Sequence, residues 1–407
     1  MRTLVHALVP ERLGTGFRWL LASSWTTNLG DGIAAAAGPL LIASLTGDPV
    51  LISLAALLGW APPLLCGLYA GVLSDRHDRR RIVLIANAAR FLVLIAMIGA
   101  LAAGRLPVPA ALIGLGLLAT AEVFADNTTA TLGPMLVHRD DLVIANARLQ
   151  TGFITLNELA GPAVGAALFA AGRVWPLVTE AVLVCAGMLL IARVTLPPHG
   201  RAGTDRAAAS VWRDIAEGVR WTVRHPAVRT LCLTTLLFNV TYGAAWSVLV
   251  LYTRERLGLG VIGFGLITTV SAVGGLLGTA LYGRLTARFS LGALMRAGLL
   301  IETLTHLVLA VTTSPWVALP TFFLFGAHAF IWGTTSRTVR QRAVPTRLQG
   351  RVDSVNTICL YGGLVVGSAL GGVLAAGYGI TAPFWMAFAG SAVLLVLLWP
   401  QMTRIAH

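Results

Sequence analysis

Gly71-Val72-Leu73-Ser74-Asp75-Arg76-His77-Asp78-Arg79-Arg80-Arg81 stands between two apolar runs, about Val50 to Val72 and Ile82 to Ala103. Each run is long enough to cross the ~30 Å hydrocarbon core of a bilayer as a helix. The charged residues between them must stay in water, so the pattern reads as two spans joined by a polar loop. Outward from this loop the same pattern recurs at about Phe17 to Leu45, Val108 to Thr131, Val143 to Ala171, Val174 to Leu196, Val228 to Tyr252, Val261 to Leu285, Leu291 to Thr313, Trp316 to Thr335, Val352 to Gly377 and Ile380 to Trp399. The sequence therefore predicts an all-α membrane protein of twelve transmembrane helices.

Composition agrees. Of 407 residues, 56% are hydrophobic and 12% charged, with mean hydropathy +0.79, whereas soluble domains run near ~25% charged. A soluble globular protein is excluded. All 30 basic residues are Arg. Without Lys there is no Gly-Lys-Ser/Thr phosphate loop, no Schiff base and no Lys general base, so ATP-driven transport by this chain alone is not expected. With the N-terminus placed in the cytoplasm, 25 arginines flank the cytoplasmic side and four, Arg105, Arg173, Arg254 and Arg256, flank the other. That asymmetry puts both termini inside. It assigns the net charge of +13 to topology rather than to nucleic acid. Cys66, Cys185, Cys232 and Cys359 lie far apart in apolar stretches and read as small core residues. No short apolar region with a cleavage site precedes the first span, which is expected to insert the chain itself.

The longest connection runs from Pro197 to Arg229. It carries Val211, Ile215 and Val219 on one helical face and Arg213, Asp214, Glu217, Arg220 and Arg224 on the other, which predicts an amphipathic helix on the cytoplasmic membrane surface. Three domains follow: a six-helix bundle over 1–196, a linker over 197–227 and a second six-helix bundle over 228–407. The halves repeat weakly. Asn28, Gly32 and Gly47 return as Asn239, Gly243 and Gly258; Gly71, Leu73 and Arg76 return as Gly283, Leu285 and Arg288; Val137 and Gly165 return as Val344 and Gly372. Three near-equal offsets in chain order point to duplicated halves.

The loop quoted first resembles the signature loop of the major facilitator superfamily, G-x-L-x-D-R-x-G-R-[KR], with Asp78 in place of the second Gly. The resemblance implies two pseudo-symmetric bundles that rock about a central site. It also implies a conformational latch on the cytoplasmic side formed by Gly71, Asp75, Arg76 and Arg79, with Asp126 placed to reach Arg79. Gly161-Pro162-Ala163-Val164-Gly165 resembles the core of the superfamily's antiporter motif, with Asn157 and Ala166 where the longer motif has Gly. Across nearly the whole chain the sequence is similar to the enterobactin-exporter-like and macrolide-efflux-like branch. That similarity rests on Asn28-Leu29-Gly30-Asp31-Gly32, the Asp75 loop, Ala145-Asn146, His225-Pro226, Arg340-Gln341-Arg342 with Pro345, and Gly350-Arg351-Val352. Members of the branch often carry Asp at the position of Asn87 and Arg at that of Thr357.

Ionisable groups at membrane depth are costly and mark function by default. Asp31 is the first candidate for proton coupling, against an acid that caps or pairs locally. Glu158, three residues before the Gly161-Pro162 kink, and Glu122 are the next. Arg90 and Glu122 match in depth and are expected to pair, as a structural pair or as part of a proton path. Glu302 with His306, and His328 with Trp332, share helix faces and read as hydrogen-bonded packing more readily than as relays. Trp25, Asn28, Asn157, Phe238, Tyr242, Trp246 and Tyr361 are candidates to line a cavity for a bulky amphiphile.

The reading that results is a proton-coupled exporter of a small amphipathic metabolite, siderophore or drug, working by alternating access as a monomer in a bacterial cytoplasmic membrane. No cofactor and no metal is expected. An importer or lysolipid flippase of the same fold is the alternative, and a non-transporting receptor a remote one. A membrane enzyme would need H-E-x-x-H, G-x-S-x-G or similar groups, and neither occurs. Gly258-Leu259-Gly260-Val261-Ile262-Gly263 fits a dinucleotide fingerprint in letters only, because it follows a membrane span and not a strand.

Overall fold

A computed structural model describes residues 11–196 and 208–405. The helices are α1 Gly14–Leu45, α2 Pro49–Arg76, α3 Arg79–Ala102, α4 Val108–Leu136, α5 Leu142–Gly152, α6 Gly161–Ala171, α7 Trp175–Ile191, α8 Ala208–Arg224, α9 Pro226–Ser247, α10 Val261–Arg288, α11 Leu291–Val311, α12 Pro315–Ala343, α13 Gln349–Tyr378 and α14 Ala382–Ile405. No strand occurs among the described residues.

Among the described residues, ten helical stretches are long and apolar enough to cross a membrane, α5 and α6 counting as one; an eleventh is a pair, Pro226–Ser247 with Leu249–Arg256, bent by 45°. The remaining expected span, the sixth in chain order, falls on α7, which has 17 residues, about 25 Å at 1.5 Å per residue. The bend in the seventh expected span has a visible cause. Beyond Val248 the chain is held to the end of α11, where Tyr252 Oη donates to Leu309 O at 2.7 Å and Arg256 Nε to Thr312 O at 3.0 Å.

Local chemistry starts the helices. Asp78, the departure from the signature loop, caps α3 by accepting from Arg81 N at 3.2 Å. Ser290 caps α11 by accepting from Ala293 N at 3.2 Å. Pro176, Pro226 and Pro315 sit in the first turns of α7, α9 and α12, where a missing N–H costs nothing.

The chain divides into two compact units. The second unit takes residues 207–407 and also Thr46–Leu64, so α2 changes unit at Leu64, a feature absent from the three-domain expectation. The reason is packing at Gly372, where a Cβ would lie 3.0 Å from Val50 Cα. Inside the units the same pairings recur. In the first, α1 packs on α6 and α7, and α3 on α4 and α7; in the second, α9 packs on α13 and α14, and α11 on α12 and α14. Small residues carry these contacts. A Cβ on Gly161 would stand 2.5 Å from Gly32 Cα and one on Gly165 2.5 Å from Ile33 O, while one on Gly243 would stand 2.8 Å from Leu364 O and one on Gly363 2.5 Å from Leu236 O.

Residues 197–207 of the linker lie outside the described residues. The amphipathic helix is present as α8, but it meets the protein by the face expected to point to water. Arg351, in the first turn of α13, reaches Asp214 at 2.8 Å and Glu217 at 2.6 Å, and Gly218 lies against the Arg351 carbonyl. Val219 and Val223 stay exposed.

Candidate functional site: a buried ion cluster

Arg90, on α3, is 1% exposed. Its Nη2 donates to Asp31 Oδ1 on α1 and, at 3.3 Å, to Glu180 Oε1 on α7. The expected partner Glu122 is not among its hydrogen-bond partners. Matching depth brings Glu122 to the neighbourhood, but α1 and α7, both packed on one another, present their acids to the guanidinium first. Glu122 instead joins Asp31 and Asp126, one carboxylate oxygen from each lying within 4.8 Å of the others. Asp126 therefore belongs to this cluster rather than to the loop: it lies nine residues before Met135, ~13 Å along α4.

Four carboxylates thus gather about one guanidinium: Asp31 and Glu180 buried and bonded to it, Glu122 half-buried and Asp126 exposed beside Asp31. If all were ionised the group would carry a formal excess of three negative charges at membrane depth, which only bound cations can offset. The three acids Asp31, Glu122 and Asp126 are also the described residues close enough together to grip a metal ion. Arg90 already holds Asp31, however, and a fixed cation there competes with a metal for the same oxygens.

Glu158 lies apart, on a π-helical turn from Phe153 to Ala160 that joins α5 to α6. Pro162 explains the turn, because it has no N–H for the carbonyl of Glu158 and its ring crowds that carbonyl. Oε2 of Glu158 is buried without a hydrogen-bond partner.

At the signature loop, the side chain of Asp75 lies outside the described residues. Arg79 Nε donates to Ser74 O at 3.1 Å and its Nη1 approaches Met135 Sδ at 2.8 Å, tying α2 to the end of α4. Arg80 Nη1 donates to Val194 O at 3.2 Å. Gly71 has open space where a Cβ would stand, and Arg76 is exposed.

The aromatic candidates sort themselves. Trp25 is a joint rather than a wall: its Nε1 donates to Arg148 O at 3.1 Å and its ring covers Gly152. Asn28 Nδ2 is engaged within α1, donating to Ser24 O at 2.7 Å. Asn157 presents its backbone to Gly32. Phe238 stacks on Trp332, Tyr242 stacks on Phe325, and Trp246 lies 4.5 Å from the rings of Tyr242 and Phe325. Tyr361 pairs with Trp60 at 6.4 Å.

Sequence reasoning passed over Glu180. An acid five residues into an apolar helix is the same signal that drew attention to Asp31, and applying it evenly along the chain would have found Glu180 as well.

Two repeated bundles of membrane-spanning helices, with a fixed charge network buried in one of them, define a secondary transporter of the major facilitator fold. Solved structures agree. A bacterial homologue of the iron transporter ferroportin in its inward-facing state is similar with a TM-score of 0.75 at 18% identity, covering 95% of this chain and 98% of that one. The D-xylose-proton symporter gives 0.72 at 15% identity, covering 94% and 97%. Residues 6–406 match the transmembrane secretion effector family, and the chain belongs to it. Among relatives, the multidrug efflux pump Tap of Mycolicibacterium fortuitum is 26% identical over 384 residues, 90% of each chain. The multidrug resistance protein MdtG of Escherichia fergusonii is 27% identical over 180 residues, 44% of each. The chain is a multi-pass membrane transporter and not an enzyme.

Proposed function

We propose that this transporter is a proton-coupled exporter of small amphipathic molecules in a bacterial cytoplasmic membrane, acting as a monomer with both termini in the cytoplasm. The observation that carries the reading is the Asp31–Arg90–Glu180 network with Glu122 and Asp126 beside it. An excess of acids over one arginine binds and releases protons more readily than it stays bare at depth. Tying those acids to α1, α3, α4 and α7 couples their charge state to the packing of the whole first unit. The efflux relatives support the outward direction, and the arginine asymmetry supports the orientation.

Asp31→Asn tests the reading. Its amide oxygen still accepts from Arg90, so the fold is retained while the exchangeable proton is lost. Export driven by a pH gradient in inverted vesicles is expected to vanish, with substrate binding still measurable. Wild-type export by this variant would reject Asp31 and leave Glu158→Gln as the next test. For the latch formed by Gly71, Asp75, Arg76 and Arg79, Asp75→Asn is expected to shift the protein toward inward-open states and raise the labelling of a cysteine placed near the cytoplasmic ends of the helices. Unchanged labelling and transport would reject it.

A further inference from the structure

Two contacts inside the second unit take no part in the export reading. In one, Glu302 of α11 accepts from His306 Nε2 at 2.8 Å and from His328 Nε2 of α12 at 2.9 Å. Those three side chains are 0 to 3% exposed, so the set is closed to any ligand. In the other, two of the four cysteines, Cys232 and Cys359, meet across the seam between α9 and α13.

The seam sets their spacing. A Cβ on Gly363 would stand 2.5 Å from Leu236 O, and one on Gly367 or Gly371 would press on Val240 O or Ala244 O. Both helices advance four residues from each contact to the next, so they run in the same direction. One turn earlier, the same register sets Cys359 against Cys232. Cys232 is buried in a cluster with Val228, Val344 and Val352, and Cys359 packs against that cluster. The thiols are close enough for one to hydrogen-bond the other. A turn further along, a Cβ on Gly363 would stand 2.8 Å from Asn239 Cβ, whereas a disulfide holds its Cβ atoms about 3.5–4.5 Å apart. The two helices therefore run close enough for a disulfide to span them. Access to the two sulfurs differs: Cys232 is 3% exposed and Cys359 is half-buried. An oxidant reaches Cys359 first and finds Cys232 behind it, the order in which a sensing thiol and its resolving partner act.

We propose that Cys359 and Cys232 form a dithiol that responds to hydroperoxides, Cys359 reacting first and Cys232 closing a disulfide that braces α9 against α13. The Cys359 sulfur attacks one oxygen of ROOH and the O–O bond breaks; RO⁻ leaves and takes up the thiol proton as ROH, with Cys359 now a sulfenic acid. The Cys232 sulfur then displaces the hydroxyl: the S–S bond forms, the S–O bond breaks, and the Cys232 hydrogen departs with that hydroxyl as water. In sum, two thiols and ROOH give one disulfide, ROH and water, and the two electrons lost by sulfur reduce the peroxide. The bridge closes a loop of 127 residues, and long loops are where such a restraint on the unfolded chain is greatest. Exchange with a small thiol reopens it.

The test uses the full-length protein in nanodiscs, with Cys66→Ser and Cys185→Ser so that the pair supplies the remaining thiols. Hydrogen peroxide is expected to remove both thiols from maleimide labelling after denaturation, to lower the intact mass by two hydrogens and to yield a proteolytic peptide linked through Cys232 and Cys359. Dithiothreitol should reverse all three. The melting temperature should rise by about 5–10 °C on oxidation and stay unchanged when Cys359→Ser is added. In that variant the buried Cys232 should keep its thiol, whereas Cys232→Ser should leave Cys359 as a sulfenic acid that dimedone traps. Two free thiols after peroxide, or added oxygen without a linked peptide, would overturn the proposal. So would a bridge that leaves the melting temperature unmoved. Every readout is made without substrate or gradient, so its failure leaves the export reading standing, and failed export leaves the dithiol standing.

Discussion

Arg90 is the residue on which the first unit's electrostatics turn. Removing it by Arg90→Ala leaves Asp31 and Glu180 buried with no counter-charge, a change that costs ~3–5 kcal/mol when one partner of a buried pair is lost. The expected outcome is a sharp fall in monodisperse protein on size exclusion. Glu122→Gln behaves differently: Arg90 keeps its two bonded acids, so the variant should fold with a melting temperature close to wild type. A collapse of Glu122→Gln would show that Glu122 holds Arg90 after all. Asp31, Arg90, Glu122 and Glu158 were legible as functional candidates because charge inside an apolar run stands out in any sequence. Their partners were not. Position along a helix gives depth, but which acid faces which base depends on how helices rotate and tilt, and a single sequence carries little record of that. The Glu302–His306 pair was visible as an i, i+4 spacing, whereas the arrival of His328 from another helix was not.

At the scale of elements, the glycine seams decide where α1 and α9 sit. Gly165→Ala forces a methyl group toward the Ile33 carbonyl and is expected to destabilise the protein by ~1–3 kcal/mol, the range for overpacking a close contact. At Gly59 an added methyl group would meet nothing within 4 Å, so Gly59→Ala in the same melting experiment should be neutral or slightly stabilising, as alanine is the better helix former. Equal effects would deny the seam. The α8 contact is of another kind. Arg351, Asp214 and Glu217 are 34%, 38% and 43% exposed, and pairs of that exposure contribute ~0–1 kcal/mol. Arg351→Gln should leave the melting temperature nearly unchanged while making α8 more open to protease. The existence of α8 followed from its amphipathic period, but its docking face did not, because a charged face reads as solvated until a partner such as Arg351 is brought to it from 137 residues away in sequence.

For the whole molecule, the arginine asymmetry makes the orientation testable: a fluorescent protein that matures only in the cytoplasm should glow when fused after His407, and a periplasmic reporter there should stay silent. The all-helical membrane fold was legible because hydropathy and the signature loop act at the scale of entire spans. The bend after Ser247 and the passage of Thr46–Leu64 into the second unit were not, since each arises from contacts between helices distant in sequence.

The π-helical turn from Phe153 to Ala160 amounts to one residue more than an α-helix of the same rise would hold. Deleting one residue from it would restore an ordinary helix of the same rise and keep Gly161 and Gly165 facing α1, whereas deleting one from a regular α-helix swings everything beyond by about 100°. The segment therefore tolerates the loss of one residue in a way that the regular helices on either side of it would not. It also holds slack: sliding the extra residue one turn along the helix would rotate Glu158 without moving either end of the span.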